Sequence, residues 1–326
     1  MNRLPIYAAP ELGAYGYHEK AWFKPDVRLQ GFLTALAARD FGDVLEFRHA
    51  PPATDEEILL FHTAAHLHHV RTRCATNEGA LDEGPTFARA HIERAATHVV
   101  GAVMDATRGI LRGDFETAFV PIAGFHHAHA DQARMYCLYN DPAIALSFVL
   151  TQLAGTVAYI DIDVHQGDGV YAAFASEPRV RIVDLHEDPS TLFPHTPAAP
   201  GEGAFPGRRT ETGQGAGLGC TLNIPLAPYT TDEDFLAHWT EAEAFIRQSR
   251  PQFIVFASGV DCLEGDPLSN QCVTVAAIHE VTRRVRALAR ETAQGRLLVL
   301  GGGGYDLDNV AQGWTTVVDA LLSPEV

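Results

Sequence analysis

YIDIDVHQGDG, residues 159–169, starts as an apolar strand and ends in a row of metal-binding side chains. Successive residues of a strand point to opposite faces, so Asp161, Asp163 and His165 are predicted to share one face, about 7 Å apart at each step. Carboxylate oxygens with an imidazole nitrogen suit zinc or a neighbouring divalent metal. Each residue alone also fits a turn or a helix cap, but five such polar positions within nine residues indicate a site.

Length, net charge and cysteine spacing limit the classes of protein to which this chain can belong. Its 326 residues contain no linker or low-complexity run, so we expect a single domain, residues 1–326. A net charge of −17 argues against direct nucleic-acid binding and favours a cationic substrate. The five cysteines lack CxxC spacing, and neither a signal core nor a run of about 18 apolar residues occurs. We expect a soluble cytoplasmic protein that does not bind a membrane. The sequence is also compatible with an oligomer.

Apolar runs of strand length alternate with helix-length stretches along the chain. The predicted strands are Thr117–Val120, Thr156–Ile162, Val180–Leu185, Phe253–Ala257 and Leu297–Leu300. The predicted helices are Phe87–Leu111, Asp141–Leu153, Asp232–Gln248 and Val273–Thr292. Continuous Val, Ile and Phe strands separated by helices indicate an α/β fold with a parallel sheet covered on both faces, and ligands collect at the carboxyl ends of such strands. The glycine-rich stretch 197–219 is predicted to be a surface loop.

Two adjacent histidines, His126 and His127, follow the Thr117–Val120 strand. Alone they also fit a solvated loop. At a strand end of the predicted sheet they fit a general base and acid, because imidazole titrates near neutral pH. Asp161 and Asp168 are then candidates to orient one histidine each through its Nδ1–H.

Two further strand ends supply polar groups. Asp261 follows the Phe253–Ala257 strand and would add a carboxylate from across the site. Asp266 is interpreted as an ordinary loop residue. Tyr305 follows the glycine run 301–304. A nucleotide site is disfavoured there because the Walker lysine and the GxGxxG arrangement are missing, and the tyrosine hydroxyl suits an oxyanion donor instead.

His62 and His66 form a second histidine pair, in the sequence HTAAH. Their spacing would place both on one face of a helix, as in zinc proteases, but Thr63 stands where that motif needs its glutamate. A structural helix is favoured, with His68 and His69 partly exposed.

Four ordered motifs together resemble one family: FHHAHADQARMYCLYND, YIDIDVHQGDGV, SGVDCLEGDPLS and LGGGGYDLDNVAQGWT. They look like the zinc-dependent histone deacetylases and their bacterial relatives, the acetylpolyamine amidohydrolases and acetoin-utilisation proteins. The resemblance extends from about Phe61 to Trp314. It implies the single-domain arginase/deacetylase α/β fold.

The resemblance also implies a role for individual residues. Zinc would be bound by Asp163, His165 and Asp261. The catalytic residues would be His126, His127, Asp161 behind His126, Asp168 behind His127, and the electrophilic Tyr305. The substrate would be contacted by Tyr136 and Phe193 as aromatic tunnel walls, by Leu268 and Gly303 as tunnel lining, and by Glu83 as an acidic rim residue. Asp161 and Asp184 fall where the family holds a monovalent cation, usually potassium.

Three positions depart from the family pattern. Gln166 replaces a second histidine, Asp184 stands where serine is common, and Met135 replaces a glycine of the tunnel wall, which predicts a narrower channel. Arg28, in the weakly matching N-terminal part, is given no role.

The resemblance, together with these residues, implies a zinc amidohydrolase that removes acyl groups from acyl-lysine side chains. His127 would take a proton from the attacking water, and Tyr305 would polarise the amide carbonyl with zinc. An acetylpolyamine deacetylase is the alternative substrate assignment. A di-manganese ureohydrolase and an inactive acyl-lysine binder are alternatives of other classes.

Overall fold

In the computed structural model, residues 3–16, 24–194 and 207–324 are described. The strands are β1 (Leu4–Tyr7), β2 (Leu45–Arg48), β3 (Thr117–Val120), β4 (Val157–Asp161), β5 (Val180–Glu187), β6 (Thr221–Leu226), β7 (Ile254–Ala257) and β8 (Leu297–Leu300). The helices are α1 (Pro10–Gly13), α2 (Pro25–Ala37), α3 (Asp55–Ile58), α4 (Ala64–Thr76), α5 (Ala90–Arg112), α6 (Asp141–Gln152), α7 (Asp168–Phe174), α8 (Asp232–Ser249), α9 (Val275–Ala293) and α10 (Leu307–Leu322).

The strands form one eight-stranded sheet in the order β2-β1-β3-β8-β7-β4-β5-β6, and every pairing is parallel. Strands β3, β4, β7 and β8 are buried along almost their whole length, because helices cover both faces. Helices α2, α10, α9 and α8 contact one another in that sequence, and α4, α5 and α6 form a second group. The predicted α/β sandwich fold is confirmed.

Strand register brings the carboxyl ends of four strands to one level, and a fifth strand, β5, continues three residues beyond it. Val120 of β3 pairs with Leu300 of β8, Leu300 pairs with Ala257 of β7, and Ala257 pairs with Asp161 of β4. Asp161 in turn pairs with Asp184 of β5. The loops that follow these five strands therefore converge on one edge of the sheet.

The helices begin and end with local signals that the sequence carries. Thr63 caps α4 by accepting a hydrogen bond from the His66 N–H, and Asp306 caps α10 in the same way for Asn309. Helix α5 ends at Gly113, whose φ of +77° is the left-handed conformation that glycine tolerates. No helix among the described residues is long and apolar enough to cross a membrane.

Several predicted bounds need correction. Strand β4 ends at Asp161, not Ile162, and β5 extends to Glu187. Strands β1, β2 and β6 were not predicted, nor were helices α1, α2, α3, α7 and α10. Of the predicted glycine-rich loop, residues 197–206 lie outside the described part, and a short 3₁₀ turn occupies Gly215–Gly217.

Candidate active site

Three potential metal ligands converge beyond the ends of β4 and β7. Asp163, His165 and Asp261 are buried, and one ligand atom from each lies within 4.8 Å of the others. Because β4 ends at Asp161, Asp163 and His165 lie in the following loop, and the predicted strand alternation does not place them. The loop is instead fixed by hydrogen bonds from the Asp163 N–H to the Asp161 carboxylate and from the His165 N–H to the Asp163 carboxylate.

The three side chains crowd their charges together. His165 Nδ1 lies 3.1 Å from Asp163 Oδ1 and 3.1 Å from Asp261 Oδ2. Burial opposes a charge on His165, but its hydrogen bonds with both carboxylates outweigh burial and raise its pKa to about 10. Burial and the charge of Asp163 raise the pKa of Asp261 to about 7. Two buried carboxylates around one imidazole are a donor set that fits a divalent cation.

Gly303 is packed too tightly against this cluster to carry a side chain. Its N–H donates to Asp163 Oδ2 at 2.6 Å. A Cβ at this position would lie 2.1 Å from Asp261 Oδ2 and 2.8 Å from Asp163 Oδ2. The glycine run therefore brings backbone within hydrogen-bonding distance of the candidate ligands.

The His126 and His127 side chains lie beside this cluster with their Nε2 atoms 3.2 Å apart. His126 Nδ1 is 2.8 Å from Asp161 Oδ2, and His127 Nδ1 is 2.7 Å from Asp168 Oδ1. Asp161 also accepts a hydrogen bond from the Tyr159 hydroxyl. Each imidazole is therefore oriented by its own carboxylate, and both present Nε2 to the same space.

The two histidines differ in protonation. Burial disfavours a charge on His126, but Asp161 and Asp163 outweigh it and raise its pKa to about 10. At His127, burial and the neighbouring His126 charge lower the pKa to about 4, although Asp168 opposes the shift. Near neutral pH one imidazole of the pair carries an extra proton, and His127 is neutral and able to accept one.

Tyr305 faces the same cluster from the end of β8. Its ring is 6.3 Å from the His165 ring, and its N–H donates to Asp266 Oδ2 at 2.6 Å. Burial and the nearby carboxylates Asp261 and Asp163 raise the pKa of Tyr305 well above its usual value. The phenol therefore stays protonated and can donate a hydrogen bond.

The structure brings some of the residues predicted to line a tunnel into one pocket, and Phe193, Leu268 and Glu83 are not among the residues that line it. Tyr136, Met135 and Gly303 line one pocket together with both histidines of the pair. The Phe193 ring is 5.4 Å from the His127 ring. Leu268 lies half-buried on the loop that Asp266 anchors, through a hydrogen bond from the Leu268 N–H to Asp266 Oδ1. Glu83 is exposed on the loop that also carries Asp82.

The candidate monovalent-cation residues are already well bonded. Asp184 Oδ1 lies 2.7 Å from His186 Nδ1, and Asp184 Oδ2 accepts a hydrogen bond from the Gly167 N–H. Both oxygens of Asp161 also receive protein donors. Gln166, which replaces the usual histidine, is buried, and its side-chain amide has no hydrogen-bond partner among the described residues.

The HTAAH segment takes the predicted structural role, but not as two positions on one helix. His62 precedes α4, and only His66 lies within it. His62 Nε2 accepts a hydrogen bond from the Asn140 N–H, and His66 Nε2 lies 2.9 Å from the Leu138 carbonyl. Both imidazoles therefore contact backbone groups. His68 and His69 are exposed.

Two residues of the site were missed by sequence reasoning. Asp266, predicted to be ordinary loop, is buried and accepts the N–H groups of Tyr305 and Asp306. Arg28 lines the pocket, and its Nη2 donates to the Gly302 carbonyl across 274 positions of sequence. Within the part of the chain that the structure describes, no group accepts a hydrogen bond from the buried Arg28 Nε. Contacts this distant leave no local signal in the sequence.

Known proteins resemble this chain over nearly its full length. A family model of the histone deacetylase domain matches residues 23–321. The acetoin utilization protein AcuC of Bacillus subtilis (strain 168) is 31% identical over 325 residues, which cover 96% of this chain and 80% of the relative. The same protein of Staphylococcus xylosus is 30% identical and covers 97% of this chain and 82% of the relative.

Solved structures share the fold. The HDA15 HD domain superimposes with a TM-score of 0.86 at 26% sequence identity, covering 100% of this chain and 92% of that one. An HDAC homolog complexed with SAHA superimposes with a TM-score of 0.82 at 27% identity, covering 98% of this chain and 84% of that one.

Proposed function

The chain belongs to the histone deacetylase family, and from this membership we propose that it is a zinc-dependent amidohydrolase that removes acetyl groups from acyl-lysine side chains. The observation that carries the proposal is the cluster of Asp163, His165 and Asp261 beside a carboxylate-oriented histidine pair. We further propose that residues 1–326 form one catalytic domain. The five cysteines, none of them paired, support a cytoplasmic location.

Zinc suits the donor set of Asp163, His165 and Asp261 because it accepts mixed oxygen and nitrogen ligands, and three protein ligands leave a position for substrate. When bound there, zinc would polarise the amide carbonyl and the attacking water as a Lewis acid. A di-manganese ureohydrolase would need a second cluster, and the described residues contain no other group that meets the same geometry.

His127 is the proposed general base. It is neutral near pH 7, because burial and the His126 charge depress its pKa to about 4. Its Nδ1 is held by Asp168, so Nε2 is directed to accept a proton from water. The protonated imidazole of the pair then donates to the leaving lysine amine, which departs as the neutral amine.

Tyr305 is the proposed electrophilic donor to the substrate carbonyl. Its raised pKa keeps the hydroxyl protonated, so it can donate a hydrogen bond as negative charge develops on the oxygen. Asp266 supports it by fixing the Tyr305 backbone. The acid product carries a carboxylate, for which the buried guanidinium of Arg28 in the same pocket is a suitable partner.

Tyr136 and Phe193 are proposed as the aromatic walls around the acyl-lysine stem, with Leu268 and Gly303 lining the passage. Glu83 is exposed, and a net charge of −17 favours a substrate with cationic surroundings. Asp161 and Asp184 are proposed to hold a monovalent cation such as potassium, because a carboxylate oxygen that accepts one hydrogen bond keeps a lone pair for a cation.

A turnover screen tests the substrate assignment. Zinc-loaded protein is assayed against acetyl-lysine peptides, acetylated polyamines and peptides with longer acyl groups, and a His127→Ala variant purified in parallel controls for contaminating deacetylases. We expect hydrolysis of acetyl-lysine peptides by the wild type alone, with kcat/KM for basic peptides falling most as salt rises. Turnover of acetylated polyamines with no action on any peptide would establish the alternative substrate instead.

A further inference from the structure

The turn that carries two tunnel residues has an unfavourable backbone. Residues Arg134 and Cys137 close it with two mutual backbone hydrogen bonds of 3.0 and 2.8 Å. Its central residues, Met135 and Tyr136, have φ values of +42° and +65°. Turns with two left-handed central positions ordinarily use glycine or asparagine, because a larger side chain clashes with its own backbone. Contacts from elsewhere are needed to hold this one.

Asp82 and Thr86 bind the two amide groups of the turn, and the Tyr15 hydroxyl donates to the Tyr136 carbonyl at 2.6 Å. Asp82 Oδ2 accepts the Met135 N–H at 2.9 Å, and Thr86 Oγ1 accepts the Tyr136 N–H at 2.8 Å. The Thr86 hydroxyl in turn donates to Asp82 Oδ2. One carboxylate and one hydroxyl thus receive the amide hydrogens of both left-handed residues.

The carboxylate is itself fixed. Asp82 Oδ1 accepts the N–H groups of Gly84 and Thr86, and a bridge between Ala80 and Phe87 closes this loop. The loop lies beside the turn, since a Cβ on Gly84 would be 3.7 Å from the Met135 sulfur. Asp82 is therefore a rigid acceptor and does not line the pocket formed by Met135 and Tyr136.

We propose that Asp82, acting with Thr86, is a positioning residue that keeps the Met135–Tyr136 turn left-handed and thereby sets the tunnel wall that receives substrate. The proposal rests on the proposed function for its kinetic consequence. Without the carboxylate, Met135 relaxes towards negative φ and the Tyr136 ring leaves the wall. The histidine pair and Tyr305 keep their own hydrogen-bond partners, Asp161, Asp168 and Asp266. Substrate binding should therefore weaken while the rate of the chemical step is preserved.

The kinetic test uses Asp82→Ala, with Glu78→Ala as the control that removes an exposed carboxylate from the same segment. We expect Asp82→Ala to raise KM for an acetyl-lysine peptide about tenfold, equivalent to about 1.4 kcal/mol, with kcat and zinc content near wild type. Glu78→Ala should behave as wild type. An unchanged KM, or an equal loss of kcat and zinc, would overturn the proposal.

A rescue variant separates positioning from loss of charge or of folding. Glycine adopts positive φ without a clash, so Met135→Gly in the Asp82→Ala background should recover most of the lost affinity. Asp82→Asn, which keeps an acceptor oxygen and loses the charge, should be milder than Asp82→Ala. No rescue by glycine, or an equal effect of Asn and Ala, would contradict the proposal.

Amide hydrogen exchange gives a readout that needs no turnover. The Met135 and Tyr136 amides should be protected in the wild type and in Glu78→Ala, and should exchange faster in Asp82→Ala. If that result is obtained with a wild type that hydrolyses no acyl-lysine peptide, the positioning role stands and the proposed function fails. Unchanged exchange in Asp82→Ala would refute the positioning role whatever the activity.

Discussion

Two buried histidine pairs among the described residues use their imidazoles differently. His62 and His66 stack with ring centroids 4.8 Å apart, and His126 and His127 lie 4.2 Å apart. The first pair contacts backbone carbonyl and amide groups. The second pair contacts two buried carboxylates.

The partners explain the different protonation of His62 and His126, whereas His127 stays neutral because burial and the charge of His126 outweigh Asp168. At His62, burial and the neighbouring His66 lower the pKa to about 3. Its ring therefore stays neutral and forms hydrogen bonds with backbone groups. At His126, carboxylates outweigh burial and raise the pKa to about 10. A buried histidine therefore becomes a candidate for proton transfer through its carboxylate, while one bonded only to backbone is structural.

The largest expected effect separates the pairs by activity. His127→Ala removes the proposed base, and kcat/KM should fall by about 10²–10⁴-fold, the usual range for general acid–base catalysis. The zinc content and unfolding midpoint should stay near wild type. His68→Ala, at an exposed position of α4, should leave kcat/KM unchanged in the same assay. If His66→Ala strips the metal while His127→Ala does not, the two pairs have been assigned the wrong way round.

Tyr305→Phe tests whether catalysis by His126 and His127 also needs a separate hydrogen-bond donor to the substrate carbonyl. Loss of one oxyanion donor lowers kcat by about 10²–10³-fold, and the phenyl ring preserves packing. Single-turnover kinetics with zinc-loaded variant and wild type would measure it. A near-normal rate would remove the tyrosine from the mechanism and leave the histidine pair and metal to account for catalysis.

His66→Ala should show the reverse pattern from His127→Ala. It leaves a cavity and an unpaired Leu138 carbonyl in the core, so the free energy of unfolding should fall by about 2–4 kcal/mol. Urea titration measures this loss, and kcat/KM well below the unfolding transition should remain within about threefold of wild type. A large loss of kcat in a fully folded variant would mean that this pair also takes part in chemistry.

The smallest expected effect is an acid-dependent loss of stability at His62. Its folded pKa of about 3 lies below the unfolded value of 6.5, so the unfolded chain binds the extra proton first and stability falls as pH drops from 6.5 towards 3. From pH 7 to pH 5 this single group should cost about 2 kcal/mol. His62→Gln, which retains a donor and an acceptor, should lose less stability over this interval than the wild type. Equal losses in both proteins would show that His62 is not held neutral.

The sequence predicts the central strands better than the edges of the sheet. β3 and β8 have the predicted bounds because continuous apolar runs mark strands buried on both faces. The edge strands β2 and β6 were missed: β2 is only partly buried, and β6 contains Pro225, which an edge tolerates. Strand β1 was missed as well, although it lies one place in from the edge and is fully buried, so a weak apolar signal explains only part of the omission.

The candidate site divides in the same way. Residues in the loops after predicted strands, such as Asp163 and Tyr305, could be named from the sequence because parallel strands end at one edge. Arg28, Asp82 and Asp266 could not, since each acts on a segment distant in sequence or through a backbone group. Periodicity carries no information about such contacts.

The most direct test of the central claim is a zinc titration of metal-stripped protein that records bound metal and acetyl-lysine peptide hydrolysis in the same samples. The account predicts no activity without metal, a linear rise to a maximum at one zinc per chain, and neither binding nor activity in Asp261→Ala. Full activity of the stripped protein, or a requirement for two bridged transition-metal ions per chain, would contradict it.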